Sequence, residues 1–458
     1  MSKLIGIWGL GVVGESLVRY LIGEGQSDLL VYDHKLTPER LANLQLPGTV
    51  QLPGTVQVLN KLEDFLNQAD LIIPSPGVDL TNYQAYADKL VCEVDFFFER
   101  WHRPIIGITG TLGKTTLTTQ ITELLQKLGV GAVAGGNIEP AMCDLLRSAV
   151  ADSCDGTISG QQQAVLELSS FQLEYAQHFA PDLAILTNFY PNHLDRHGTI
   201  AAYLAAKLKI FQYQTANQIA LVPLEQLASL PKINSQLYGF SLQAPEDLPA
   251  YCMGIFYLQD HQVKLWTSTG VISVLDLANL QISTHQINLV ILGAVVYLWG
   301  LQASLKALAP VQITAQIEHR LEKFHTFNQI DFYNDSKSTV SESTLAAVAR
   351  LQGQPIILIL GGLGKGVDRE PLIAKLQSQV KMVVCFGSEA GQLNQYCQKY
   401  QIPSLVFSDL SPVVSALVSL VQPGDQVLLS PAGSSYDLFA NYVARGREFK
   451  RLVQESFK

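Results

Sequence analysis

The chain has 458 residues, 48% hydrophobic and 16% charged, enough for about three domains of roughly 150 residues that each bury a core. Thirty-one Lys and Arg against forty Asp and Glu give a formal charge of −9, which excludes a protein that wraps a nucleic-acid backbone with clustered cations. Six scattered cysteines, with no CxxC pair or Cys/His cluster, argue against a disulfide framework or structural zinc and fit a reducing cytoplasm.

Residues 1–7 lead straight into a Gly-rich turn and lack the apolar core and cleavage site of a signal peptide. The opening then reads as a strand over 4–8, a turn over 9–14, a helix over 16–22 and a strand over 29–32 that ends at Asp33. A strand over 71–73 runs into Pro74-Ser75-Pro76-Gly77, where the prolines force a loop. Gln-Leu-Pro-Gly-Thr-Val occurs at 45–50 and again at 51–56; two copies carrying Pro-Gly cannot build a solenoid and read as a duplicated surface loop.

At Arg103-Pro104 the pattern restarts, with a strand over 105–108, a second Gly-rich turn, a helix over 115–128 and strands over 164–168 and 183–186. Residues 215–285 are less regular and β-rich, with strands near 254–257 and 263–266. Helical segments over 288–300 and 303–309 follow; the apolar stretch 289–301 contains Gly293 and Gly300 and is too short to span a bilayer. After Phe332 a third series begins, with strands over 356–360, 382–386 and 427–429. The expected fold class is α/β in three domains: a Rossmann-like N-terminal domain over 1–102, a central P-loop mononucleotide-binding domain over 103–311, and a C-terminal Rossmann-like domain over 312–458. Such a chain is expected to be cytoplasmic, with no membrane insertion and no nucleic-acid partner.

Gly110-Thr111-Leu112-Gly113-Lys114-Thr115-Thr116 follows a strand and opens a helix, a setting in which backbone N–H groups and the helix N-terminus face an anion. Lys114 would neutralise the β/γ-phosphates and the Thr115 hydroxyl would reach Mg²⁺; Ile108 stands where a strict Walker A has Gly, so the loop is a variant. Gly9-x-Gly11-x-x-Gly14 with Asp33 downstream fits a dinucleotide, any other nucleotide, or a purely structural βα turn. Glu167, at the end of a strand beyond the phosphate loop, stands where nucleotide-bound Mg²⁺ would find an oxygen ligand, and His193 offers a ligand for a second metal. By spacing alone, Lys207 in Ala205–Phe211 reads as a solvated charge on an amphipathic helix.

Together these stretches resemble the Mur ligase family of peptidoglycan synthesis. The resemblance rests on Gly110–Thr116, Glu167-Leu168-Ser169-Ser170-Phe171-Gln172-Leu173-Glu174, Asn188–His197 and Ala205–Phe211. It extends to Ser75-Pro76-Gly77, Gly135-Gly136-Asn137-Ile138, His319-Arg320-Leu321-Glu322, Asn334–Thr339, Gly361-Gly362 with Lys365-Gly366, and Ser430–Phe439 with Arg445-Gly446. Ser-Ser-Phe-Gln-Leu-Glu is similar to the branch that adds D-glutamate.

The resemblance implies an ATP-dependent ligase, a monomer, that joins D-glutamate to UDP-N-acetylmuramoyl-L-alanine through an acyl phosphate. It puts Gly9, Gly11 and Gly14 at the UDP phosphates, Asp33 near the uridine with Gly77 nearby, and Asn137 and Ser169 at the muramoyl-alanine end. ATP would lie on Gly110, Thr111, Leu112, Gly113, Lys114, Thr115 and Thr116, with Asn288 and Arg320 at the adenine and phosphates and Asp335 at the ribose. One Mg²⁺ would sit at Thr115 and Glu167, and a second at His193 and Lys207, a lysine that is N-carbamylated in the family. Lys337, Thr339, Lys365, Ser435 and Tyr436 would surround the incoming glutamate.

The chain departs from the family pattern at Leu112, Glu139, Asn192, Thr284-His285-Gln286, Glu318 and Leu363-Gly364. Three other readings stand beside the main one. A sister ligase of the same plan would add another amino acid, but a folate enzyme would lack the first domain. A dehydrogenase using Gly9–Gly14 leaves the phosphate loop and Glu167 without a task. The third is a non-catalytic nucleotide-binding scaffold.

Overall fold

Uninterrupted apolar runs favour parallel strands covered on both faces, and this is how the chain folds. A computed structural model describes residues 3–26, 28–34, 55–147, 162–282, 284–314, 318–364 and 366–458. They form two compact units, Met1–Phe189 with Leu204–Ala315, and Tyr190–Tyr203 with Gln316–Lys458.

The first unit holds two sheets. One contains β1 (Ile5–Trp8), β2 (Asp28–Tyr32), β3 (Thr55–Val58) and β4 (Leu71–Pro74) in the order β3-β2-β1-β4, all parallel. The helix Val12–Gly23 starts directly after Gly11, four residues earlier than expected. Gly14 makes this possible, because a Cβ there would lie 1.9 Å from the Gly9 carbonyl oxygen. The repeated hexapeptide is not wholly loop: Thr55 and Val56 of its second copy open β3, as β-branched residues favour, while 45–54 lie outside the described residues.

The second sheet has nine strands: β5 (Ile105–Thr109), β6 (Ala132–Gly136), β7 (Gln163–Glu167), β8 (Leu183–Leu186), β9 (Ile219–Pro223), β10 (Gln236–Phe240), β11 (Gly254–Gln259), β12 (Gln262–Thr267) and β13 (Gly270–Asp276). Their order is β13-β12-β11-β10-β9-β8-β5-β7-β6. Pairing is parallel from β6 to β11, and β11-β12-β13 form an antiparallel meander at the far edge. The two-residue side-chain period splits β5 between two cores, Ile105 on one face and Ile106 and Ile108 on the other. Two short strands, β14 (Leu280–Gln281) and β15 (Val311–Gln312), pair in parallel beside this sheet.

The helix Gln286–Leu298 is apolar because Val290, Ile291, Leu292, Ala294 and Val295 fill one of these cores. Among the described residues no single helix is long and apolar enough to cross a membrane.

The second unit is built on β16 (Glu322–Phe327), β17 (Ile330–Asn334), β18 (Ile356–Gly361), β19 (Met382–Phe386), β20 (Ser404–Phe407) and β21 (Gln426–Leu429), ordered β16-β17-β21-β18-β19-β20. The series therefore opens at Glu322, not after Phe332. Its β16-β17 hairpin is antiparallel and only half buried, so charged and polar residues interrupt the apolar run that marks an inner strand. In β18, Ile356, Leu358 and Leu360 face one core and Ile357 and Ile359 the other.

Candidate active site

Parallel strands deliver their loops to one edge of a sheet, and β5 and β7 are neighbours whose C-terminal ends carry the phosphate loop and Glu167. The loop needs glycine at two places. Gly110 has φ +141° and its Cβ would fall 2.0 Å from Thr187 Oγ1, while Gly113 has φ +78° and is the N-cap of the helix Lys114–Lys127. Gly113 brings no side-chain acceptor to the first helical N–H groups, which suits an anion. The loop is braced from behind. Leu112 N–H donates to Asn188 Oδ1 (2.8 Å), and Thr187 Oγ1 and Asn188 Nδ2 donate to the Leu112 carbonyl (2.7 and 3.1 Å).

Thr115 Oγ1 donates to Glu167 Oε2 at 2.5 Å, and Asn137 Nδ2 donates to Glu167 Oε1 at 2.9 Å. Gly136 (φ +106°) lets Asn137 approach, since a Cβ there would meet the Glu167 carbonyl oxygen at 2.3 Å. Two lysines share one acceptor: Lys114 Nζ and Lys207 Nζ donate to the Gly110 carbonyl at 2.9 and 2.8 Å. Lys207 is not the solvated charge that its spacing suggests; it is fully buried. Burial holds its ammonium well below the usual lysine range, the Lys114 charge adds to this, and Glu167 opposes it. Its charged form is thus disfavoured where it lies against the phosphate loop.

The first Gly-rich turn is held in a similar manner. Gly9 (φ +97°) donates its N–H to the Tyr32 carbonyl and accepts Ser75 Oγ at 3.0 Å; Asp33 Oδ2 accepts the Leu10 N–H at 2.8 Å. Gly11 faces open space and Gly77 is exposed. Ser169 caps the short helix Ser170–Leu173 in a reciprocal box with Gln172.

In the second unit, Asp335 is buried with Oδ1 accepting the Leu321 N–H (3.0 Å) and Oδ2 accepting Ser430 Oγ (2.7 Å). Burial pushes its carboxyl up to about 6, against the pull of nearby Arg320. Arg320 Nε is buried with no hydrogen-bond partner among the described residues. Lys337 Nζ lies 5.2 Å from the Tyr442 ring centroid, Thr339 is half-buried, Ser435 is buried, and Tyr436 is 72% exposed. Two buried arginines tie loops together. Arg445 donates to Ser336 Oγ and to the Ser336 and Gly433 carbonyls, and Arg369 donates to the Gly361 and Gly362 carbonyls and to Glu389. His193 sits at the head of the helix Leu194–His197 with φ 55°.

Comparison with known proteins gives three family matches along the chain. Models described as Mur ligase MurD-like N-terminal domain, Mur ligase middle domain, and Mur ligase glutamate ligase domain match residues 3–89, 108–293 and 319–433. The UDP-N-acetylmuramoylalanine–D-glutamate ligase of Desulfotalea psychrophila is 34% identical, over 98% of this chain and 95% of its own length. The chain belongs to the Mur ligase family. The UDP-N-acetylmuramate–alanine ligase MurC of Thermotoga maritima covers 99% of this Mur ligase and 100% of its own chain with a TM-score of 0.57 at 17% identity. The MurF ligase of the same organism, in complex with ADP, gives 0.54 at 16% identity over 86% and 91% of the two chains. At such identities these two structures speak for the fold alone.

In this Mur ligase the first unit brings Gly110–Thr116, Asn137, Glu167 and Lys207 into one network. Asn288 Nδ2 donates to Thr284 Oγ1 (2.9 Å), so the departure at 284–286 supplies its partner; both lie beside Gln120 of the phosphate-loop helix. The departure at Leu112 involves only the side chain, whereas the bracing uses its backbone. Asn192, in place of an acid, still accepts the His193 N–H at 2.9 Å. Glu318 accepts Lys450 Nζ at 3.1 Å. Lys365 lies outside the described residues. The sequence reading assigned no role to Thr187, Asn188, Glu93, Gln172, Arg369 or Glu389.

Proposed function

We propose that this Mur ligase is the D-glutamate-adding enzyme: with ATP it converts the alanine carboxylate of UDP-N-acetylmuramoyl-L-alanine to an acyl phosphate, and the amine of D-glutamate displaces the phosphate. A carboxylate does not condense with an amine at neutral pH. A carboxylate oxygen therefore attacks the γ-phosphorus and ADP leaves; the amine then attacks the acyl carbon, gives up a proton, and phosphate departs. The observation that carries the reading is the buried Lys207 on the Gly110 carbonyl, beside the Thr115–Glu167–Asn137 network. Full-length identity to curated D-glutamate ligases supports the choice of substrates.

Within this reading the Gly110–Thr116 loop and Lys114 bind the ATP phosphates, Asn288 and Arg320 approach the nucleotide, and Asp335 faces its ribose. The Thr115 hydroxyl and the Glu167 carboxylate are a compact all-oxygen donor set and fit Mg²⁺. Bound there, the metal would offset charge on the transferring phosphoryl group. Burial favours the neutral amine form of Lys207, and that form can add to carbon dioxide, forming an N–C bond and releasing a proton; with His193 the resulting carbamate is the proposed ligand pair of a second Mg²⁺. The turn at Gly9, Gly11 and Gly14, with Asp33, Gly77, Asn137 and Ser169, takes the UDP-substrate. Lys337, Thr339, Lys365, Ser435 and Tyr436 take the glutamate. The three domains over 1–102, 103–311 and 312–458 then serve UDP-sugar, ATP and amino acid in turn, in a cytoplasmic monomer.

The test is phosphate release and product mass with UDP-N-acetylmuramoyl-L-alanine, ATP, Mg²⁺ and each candidate amino acid. Product with D-glutamate alone is expected. Lys207→Ala should lose activity and recover part of it with formate; full activity without rescue removes the carbamate from the reading.

A further inference from the structure

Glu93 belongs to none of the expected sites, yet it is the buried end of a hydrogen-bond chain that reaches one of them. It opens the helix Glu93–Phe98, is 1% exposed, and accepts Gln172 Nε2 on Oε2 at 3.1 Å. Its other oxygen, Oε1, is buried without a hydrogen-bond partner among the described residues. Gln172 is itself buried, and its Oε1 accepts both the Ser169 N–H (3.0 Å) and Ser169 Oγ (2.9 Å). A small cavity next to this chain is lined by Ser75, Glu93, Phe171, Gln172 and Tyr175. Ser75 also holds the Gly9 turn through its bond to the Gly9 carbonyl.

An ionised carboxylate only accepts, so it demands the NH₂ end of the Gln172 amide. The amide oxygen must then face Ser169, whose hydroxyl proton is committed inward; its oxygen accepts the Gln172 N–H at 3.3 Å and keeps its second lone pair for an outside donor. We propose that Glu93 is a positioning residue for the UDP-substrate, orienting Gln172 and through it presenting the Ser169 hydroxyl as an acceptor. The inference rests on the ligase reading, which places Ser169 at the muramoyl-alanine end.

A merely structural acid would change stability alone as it titrates; a positioning acid should make substrate binding follow its own titration. Burial pushes the Glu93 carboxyl up to about 7, the Gln172 hydrogen bond opposing this and Asp144 reinforcing it. The other ionisable neighbours are otherwise engaged. Asp144 pairs with Arg19, Cys92 donates to Asp95, Asp95 accepts the N–H groups of Gln177, His178 and Phe179, and Tyr175 donates to Asp79. Cys143 is buried and its thiol is pushed well up by burial, then by Glu93 and Asp144, with Arg100 opposing. With its carboxyl near 7, Glu93 changes charge between pH 6 and 8, anionic at the upper end.

The experiment measures KM for UDP-N-acetylmuramoyl-L-alanine, ATP and D-glutamate at pH 6 and pH 8, with thermal unfolding, for the wild type, Glu93→Gln and Glu93→Leu. In the wild type, KM for the UDP-substrate should be about fivefold higher at pH 6, the ratio separating a charge-assisted from a neutral hydrogen bond. Glu93→Gln, nearly isosteric and non-titrating, should abolish that step while leaving KM for ATP unchanged. Glu93→Leu should raise KM for the UDP-substrate about tenfold at pH 8, the worth of one hydrogen bond to a charged group. A pH step that persists in a folded Glu93→Gln overturns the proposal even if Glu93→Leu fails to fold. A wild type that makes no product from the three substrates overturns the ligase reading and this inference with it.

Discussion

Arg369 is the side chain whose removal should most clearly separate local architecture from chemistry in the second unit. It is 4% exposed, and its guanidinium donates to the Gly361 carbonyl (2.9 Å), the Gly362 carbonyl (3.1 Å) and Glu389 Oε2 (2.5 Å). Glu389 in turn accepts the Gly364 N–H at 3.0 Å, so the pair ties down three residues, Gly361 at the end of β18 and Gly362 and Gly364 just beyond it. Arg369→Met keeps the apolar stem but leaves two carbonyls and a carboxylate without their donor. At about 1 kcal/mol for each carbonyl, and as much again for a carboxylate that is partly solvated, the loss should be about 3 kcal/mol. Glu389→Gln retains an acceptor for Gly364 and should cost about 1 kcal/mol. The double variant should reveal a coupling of about 1 kcal/mol. All four tryptophans, Trp8, Trp101, Trp266 and Trp299, belong to the first unit, so far-UV circular dichroism must follow the transition. A loss of 3 kcal/mol should lower the midpoint by about 6–12 °C for a unit of this size. A loss below about 1 kcal/mol, or additive single variants, would refute the claim that the pair acts as a brace.

Further outcomes follow from other residues. Gly110→Ala forces a Cβ to within 2.0 Å of Thr187 Oγ1 at φ +141°; it should destabilise the first unit by about 3 kcal/mol or more, read as an earlier urea midpoint in tryptophan fluorescence. Asp335 has its carboxyl raised from 3.8 to about 6, so its contribution to stability is complete below about pH 4 and is lost as pH rises through 6. The unfolding free energy of the wild type relative to Asp335→Asn should therefore fall by about 3 kcal/mol between pH 4 and pH 7, and a flat difference would contradict this. Gly364→Asp brings a Cβ to 3.0 Å from the Val367 carbonyl oxygen, with Glu389 Oε2 at 3.3 Å and Arg369 Nε at 3.4 Å; this crowding should lower stability by about 1 kcal/mol, read as an earlier unfolding midpoint in far-UV circular dichroism.

Inner parallel strands were legible because two-sided burial writes an unbroken apolar run such as Ile356–Leu360, which needs no knowledge of its neighbours. The phosphate loop was legible for a similar reason: its glycines answer a local demand for positive φ and close approach. The β16-β17 hairpin was not, since half-exposed edge strands carry mixed composition. Lys207 was misjudged by spacing, because its depth comes from Gly110, 97 positions away in the chain, and no local period encodes such a partner. Glu93 and Gln172, 79 residues apart, were invisible on the same grounds, as were Arg369 and Glu389. The family resemblance supplied a role for Lys207; the structure supplied the burial that makes this role chemically reasonable.

The division of the chain into units also governs how it can be dissected. The second unit takes Tyr190–Tyr203 from the middle of the sequence and resumes at Gln316, and the helix Ile200–Gln212 begins in one unit and ends in the other. The polypeptide thus changes unit three times. A gene fragment starting at Gln316 would omit the helix Leu194–His197 and the strained His193 turn, which lies against Gly366 through Leu194 and Asp195. A single protease cut near residue 315 would leave a nicked molecule that still owns every piece. Domain exchange with a sister ligase accordingly needs paired junctions, one set flanking residues 190–203 and one near 315.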